Sequence, residues 1–151
     1  MADVEDRDFG FRRIVTNLKS FDGVELVVGV LRNAGREKDG TDLVDVAFWN
    51  EFGTRHIPSR PFVRIATDEH GDEWQKLAEK GLTAITEGRM SRKQVLDLVG
   101  LRAKADVQKV FGDKTKLKSN SEKTIAKKGS SAPLIDSASL RDRGVNYRID
   151  E

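Results

Sequence analysis

Few side chains in this 151-residue chain are both chemically capable and grouped. His56 and Ser59 stand close together and would need an aspartate to complete a nucleophilic triad. No GxSxG elbow or other supporting motif accompanies them. The run Asp68-Glu69-His70-Gly71-Asp72-Glu73 gathers oxygen and nitrogen donors that could hold a divalent cation. Acidic residues are equally at home, solvated, in the early turns of a helix, where the helix dipole favours them. Gly35, Gly40 and Gly53 form no phosphate-cradling pattern, and GxxxxGK[ST] is absent. Glu51 lies among Phe48, Trp49 and Phe52, where a carboxylate could acquire a raised pKa and act as acid or base. The structural alternative is an acceptor for loop N–H groups that fixes the turn at Gly53. With two histidines and no cysteine, a thiolate or histidine-rich metal centre is excluded, as is a disulfide framework. The expectation is a non-enzymatic protein with no cofactor and no metal.

The densest special stretch is VAFWNEFGTRHIPSRPFVR, from Val46 to Arg64. Apolar residues before Gly53 read as a helix beginning near Thr41 or Asp42, either of which could cap it. It is apolar nearly all round, so it needs cover on more than one side, within the fold or from a partner. Residues 53–60 have no apolar period and read as a defined loop between two helices. Pro61 suits the first position of the next helix, because its missing N–H has no helical partner there.

Around this stretch, Phe11, Ile14, Val15, Leu18 and Phe21 predict an amphipathic helix over about 5–20. Residues 24–31 (VELVVGVL) read as a strand, and 32–40 as a surface loop. Phe62, Ile65, Ala66, Trp74, Leu77, Ala78, Leu82 and Ile85 mark a long helix to about 87. Ser91-Arg92-Lys93-Gln94 is a capping-box sequence, after which Val95, Leu98, Val99, Ala103, Val107 and Val110 continue a second long helix that Gly112 would stop. Val145, Tyr147 and Ile149 alternate with polar residues, as in a closing strand that pairs with 24–31. The fold expected is α+β: a small antiparallel sheet (strands near 24–31 and 145–149) packed with an N-terminal helix and two long helices (about 61–87 and 91–111), in a single domain over 1–151.

Hydrophobic residues make up 37% of the chain and charged residues 34%, against roughly 45–50% and about 25% in typical globular chains. The core must be small, with some of the surface stabilised by neighbours. Net charge is +2, but Arg102 to Lys128 holds nine Lys or Arg against Asp106, Asp113 and Glu122. That concentration suits an acidic protein surface or nucleic acid. Residues 113–132 are lysine-rich and poor in large apolar groups, so they read as a flexible basic arm. Lys114, Lys116, Lys118, Lys123, Lys127 and Lys128 would face DNA or a protein. Stacking aromatics are missing, so DNA binding through 102–128 would be electrostatic and sequence-blind. Arg55, Arg60 and Arg64 would grip either an acidic partner or a carboxylate of the same chain such as Glu51. No run suits a membrane span and the N-terminus is acidic, so cytoplasmic synthesis is expected.

Two separated blocks carry a resemblance. Val46-Ala-Phe-Trp-Asn-Glu-Phe-Gly-Thr followed by Ile57-Pro-Ser-Arg-Pro-Phe-Val-Arg resembles the EFGT…IPxRPFxR signature of the neck and tail-completion (head-tail joining, virion morphogenesis) proteins of tailed double-stranded DNA bacteriophages. The segment from Ser121 to Arg141, containing TIAKKG and PLIDSASLR, is similar to that family's TIxxKGxxxPLIDTGxLrxSI tail. This chain has Ser137-Ala138 where the family has Thr-Gly, and Arg143-Gly144-Val145 replaces the usual Ser-Ile. The resemblance implies a small α+β subunit that assembles with itself as a ring, six-fold or twelve-fold, between the capsid portal and the tail. Its partners would be head-closure or connector proteins and tail terminator or tube proteins, with nonspecific contact to genomic DNA in the lumen. Its place would be the virion neck, and no membrane would be involved. In that role Phe48, Trp49 and Phe52 would anchor the loop while Glu51 and Gly53 shape it. Thr54, Arg55, Ile57, Pro58, Arg60, Pro61, Phe62 and Arg64 would meet a neighbour, joined by Leu134 and Ile135. The competing reading is a nucleic-acid-binding protein that uses 102–128.

Overall fold

The computed structural model describes residues 11–135 and 138–151. The chain runs through α1 (Phe11–Lys19), β1 (Glu25–Val30), α2 (Leu43–Phe52), α3 (Phe62–Thr86), α4 (Arg92–Val110) and α5 (Glu122–Lys128). A π-helical turn, Leu140–Gly144, then leads into β2 (Val145–Asp150). The two strands pair antiparallel, from Glu25 opposite Asp150 to Val30 opposite Val145. The fold is α+β, as the sequence pattern implies. The portion of the expected N-terminal helix before Phe11 lies outside the described residues, as do Asp136 and Ser137 of the PLIDSASLR segment.

Local chemistry sets the helix ends. Asp42 caps α2 by accepting from Val44 N. Ser91 and Gln94 complete a reciprocal capping box on α4. Gly88 and Gly112 take positive φ just past the ends of α3 and α4. Helices α3 and α4 lie side by side, and α4 packs on the sheet with its other flank. Two glycines permit these approaches. A Cβ on Gly81 would collide with Val95, and one on Gly100 would sit 2.5–2.9 Å from the Tyr147 ring.

The core gathers Leu43, Phe62, Val107, Val110, Phe111 and Val145. Phe62 and Phe111 meet as tilted rings 4.7 Å apart, a favourable aromatic geometry. A buried carboxylate ties the two long helices together. Asp106 on α4 accepts from Trp74 Nε1 on α3 at 3.0 Å, from Arg102 Nε at 2.7 Å and from Lys109 Nζ at 3.0 Å. Burial pushes this carboxyl up, but the bonds from Trp74, Arg102 and Lys109 together outweigh burial and hold it at about 2.

Two expectations need correction. Leu82 and Leu98, assigned to the core stripes of the long helices, lie outside the core and are 37% and 42% exposed. The burial patterns of α3 and α4 follow Gly81, Ala84 and Ile85 and Val95, Val99 and Ala103 instead. Residues 113–132 are not an extended arm. Leu117 enters the core, Ser121 caps α5 and Gly129 closes it in the left-handed conformation. The composition argument weighed apolar burial alone, whereas polar bonds to distant backbone fix this segment.

Candidate interaction surface

Helix α2 buries Leu43 and Ala47 and turns the opposite side to solvent. Phe48 and Phe52 are each 59% exposed and Trp49 is 38% exposed. The two phenyl rings stack on each other, 4.8 Å apart and tilted. Asp45 extends the same exposed face one turn earlier. Phe48 and Phe52 form an outward pair beside the following loop, whereas Trp49 is more covered and lines a groove together with Ile57 of that loop.

The loop is held from beneath by polar contacts. Gly53 leaves the helix at φ 79°, and a Cβ there would lie 2.9 Å from Ser59 N and 3.2 Å from the Ile57 carbonyl. Thr54 closes the tip: its N–H donates to the Ile57 carbonyl at 2.8 Å, and its hydroxyl accepts from the N–H groups of His56 and Ile57. Arg60 N donates to the Asn50 carbonyl at 2.6 Å, and the Ser59 hydroxyl donates to the Glu51 carbonyl at 2.9 Å. The Ser59 hydroxyl is therefore engaged with backbone. Arg55, His56 and Pro58 project into solvent.

Glu51 acts at a different place from the one the sequence suggested. Its carboxylate accepts from Val63 N at 3.0 Å and Arg64 N at 3.1 Å, the first free donors of α3. Pro61, at the N-cap position of that helix, makes no side-chain cap. Glu51 supplies the missing acceptor and a negative charge at the positive end of the helix dipole. The EF…RPFxR spacing thus encodes a cap delivered from the preceding helix.

Arg60 is buried rather than displayed to a neighbour. Its guanidinium donates to the Lys118 carbonyl at 2.8 Å, the Ser119 carbonyl at 3.2 Å and Asn120 Oδ1 at 3.2 Å. Burial lowers its pKa. Asn120 Nδ2 passes the link on to the Ala132 carbonyl. The 46–64 stretch is therefore bolted to the backbone just ahead of the Ser121–Arg141 segment. Phe62 is also buried, while Arg64 is exposed and Pro61 half-buried. Leu134 and Ile135 pack partly against the core. Leu134 also borders a groove of about 630 Å³ shared with Lys38, Trp49, Ile57, Arg60 and Lys128.

The basic set is dispersed. Lys114 donates to Ser131, and Lys116 pairs with Glu69 and Asp113. Lys118 is exposed ahead of α5, Lys123 and Lys127 are exposed on it, and Lys128 lines the groove. The acidic run on α3 is likewise occupied: Glu69 meets Lys116, and Glu73 meets Arg102. Among the described residues, no three His, Asp or Glu side chains are grouped to hold a metal ion, and no helix is long and apolar enough to cross a membrane.

Sequence reasoning missed a second exposed apolar face. Leu98 is 42% and Leu101 56% exposed, with Ala105 a turn further along the outer side of α4. Its signal was available, since these three lie off the Val95, Val99, Ala103 row of the same helix. The chain matches no protein-family model, no curated protein and no solved structure.

Proposed function

We propose that this chain is a structural subunit of a phage neck, assembling as a ring that joins the capsid portal to the tail and completes the tail, without catalysis. One observation carries the reading: a loop fastened by Gly53, Thr54 and Ser59 follows directly on an aromatic row of α2 in which Phe48 and Phe52 are more exposed than covered. Three exposed aromatics on one helix are poorly tolerated on a free surface and suit burial in an assembly. The two sequence blocks that resemble the neck family are also physically coupled here, through Arg60 and residues 118–120. A nucleic-acid role has weaker support, because Arg102, Lys109 and Lys116 already pair with carboxylates of the chain.

The test is in vitro joining. Heads and tails from particles lacking this subunit, supplied with the other neck components, should join when the folded protein is added. Electron microscopy should then show an added layer at the neck. Separate heads and tails after addition of folded protein would overturn the reading.

A further inference from the structure

Two solvent-facing helix surfaces of different chemistry stand on this one chain. The first is the row Asp45, Phe48, Trp49 and Phe52 on α2. The second is the row Gln94, Leu98, Leu101 and Ala105 on α4, opposite the side that meets α3 and the sheet. We infer that these two faces dock on each other between copies of the chain, the α2 row of one subunit lying antiparallel on the α4 row of the next. This deepens the ring reading above by assigning its subunit contact.

Area, charge and symmetry support that occupant. A large aromatic side chain carries roughly 150–250 Å² of buriable surface. At the exposures of Phe48, Trp49 and Phe52, the row presents roughly 250–400 Å², already the size of the largest apolar patch on a typical monomer. A stable interface buries roughly 800 Å² per partner, so this row would supply its apolar centre and the polar surface around it the remainder. Antiparallel docking sets Phe52 against Leu98 and Phe48 against Leu101 and Ala105. It also brings Asp45 toward the end of α4 that carries Lys104 and the exposed Lys109, so opposite charges meet at that end. A two-fold pairing of α2 with α2 would leave the α4 row bare. A head-to-tail contact covers both rows with a single interface and propagates into a closed ring when the rotation fits.

The experiment uses two double variants, Phe48→Ser with Phe52→Ser and Leu98→Gln with Leu101→Gln. These side chains lie outside the core, so each variant should keep the wild-type circular dichroism and melting curve. By sedimentation velocity the wild-type chain should assemble beyond a dimer, and each variant alone should sediment at the 16.9 kDa of one chain. Mixed in equal amounts, each retains the face the other lacks, so they should form a one-to-one dimer of twice that mass that grows no further. Because the chain has no cysteine, a second measurement is available if either double variant misfolds. A Phe52→Cys chain mixed with a Leu98→Cys chain should form a disulfide-linked heterodimer, in several-fold excess over either self-linked product. A monomeric wild type, double variants that assemble like wild type, a mixture that stays monomeric, or cross-linking with no preference for the mixed pair would each overturn the inference. Joined particles together with any of those results would sink this interface alone. A chain that passes here yet joins no heads to tails would sink the joining role alone.

Discussion

Replacing Asp106 tests whether the junction between α3 and α4 works as its geometry implies. The carboxyl has moved from its ordinary 3.8 to about 2 in the fold. One pKa unit corresponds to about 1.4 kcal/mol, so the ionised side chain contributes between about 2 and 3 kcal/mol near neutrality. Because the folded pKa lies below the unfolded one, this contribution is complete above the unfolded value. It is lost as pH falls through the folded value. Asp106→Asn keeps an oxygen for Trp74 but turns an amide toward Arg102 or Lys109, and removes the charge that both cations share. The expected cost at pH 7 is about 3 kcal/mol. Asp106→Ala should cost more, about 3–5 kcal/mol, because it leaves the Trp74 N–H without its acceptor as well.

Urea unfolding followed by tryptophan fluorescence, repeated between pH 7 and pH 2, measures both quantities. The gap between wild type and Asp106→Asn should narrow by about 2 kcal/mol across that range, as the wild-type carboxyl takes up its proton. Other carboxylates titrate in the same interval in both proteins, so the difference isolates Asp106. An Asn variant within 0.5 kcal/mol of wild type at pH 7, or a gap independent of pH, would refute the assignment.

Glu51→Gln should lower stability by about 1 kcal/mol in the same unfolding assay, because the amide oxygen still accepts from the α3 N-terminus but the charge at the dipole is gone. Glu51→Ala should cost about twice that, with faster hydrogen exchange at Val63 and Arg64. Arg60→Lys cannot reach three acceptors with one ammonium. Limited proteolysis should then cut within 113–132 several-fold faster, while α3 and α4 keep their exchange protection. Ala138→Gly should raise stability by about 0.5–1 kcal/mol, since residue 138 sits at φ 60° where a Cβ is penalised; an unchanged or lower urea midpoint would count against that backbone assignment.

Periodicity made most of the fold legible. The strand pair, both long helices and the Ser91 capping box follow from local pattern, because each is specified within a few residues. The fate of 113–132 was not legible, since its ordering depends on Arg60 bonding to carbonyls 58 and 59 residues away and on one buried leucine. Glu51 illustrates an intermediate case. Its polarity among aromatics flagged a structural acceptor, but which backbone donors it would meet depended on how Pro61 turns the chain into α3. Leu82 and Leu98 were misassigned because a leucine beside a buried row fits the helical period nearly as well as one within it. Only the packing of Gly81 on Val95 decides which side of each helix is covered. The positive φ of Ala138 has no signature in its residue type, and only the backbone angle reveals it.

These placements separate stability from association. Asp106, Arg60 and Glu51 lie beneath the surface or bond to backbone, and their removal should be felt as lost stability. Phe48, Phe52 and Leu101 are more exposed than covered, Leu98 is 42% exposed, and all four sit outside the core cluster; surface substitutions away from structural features usually stay within about 0.5 kcal/mol. An assembly defect in their variants therefore cannot be traced to unfolding. The converse also holds: Arg60→Lys weakens the attachment of 113–132 without touching either exposed row, so it should leave pairing through α2 and α4 intact. If it abolished that pairing while both helices stayed protected, the segment at 113–132 would have to belong to the interface, and the contact between α2 and α4 would be incomplete without it.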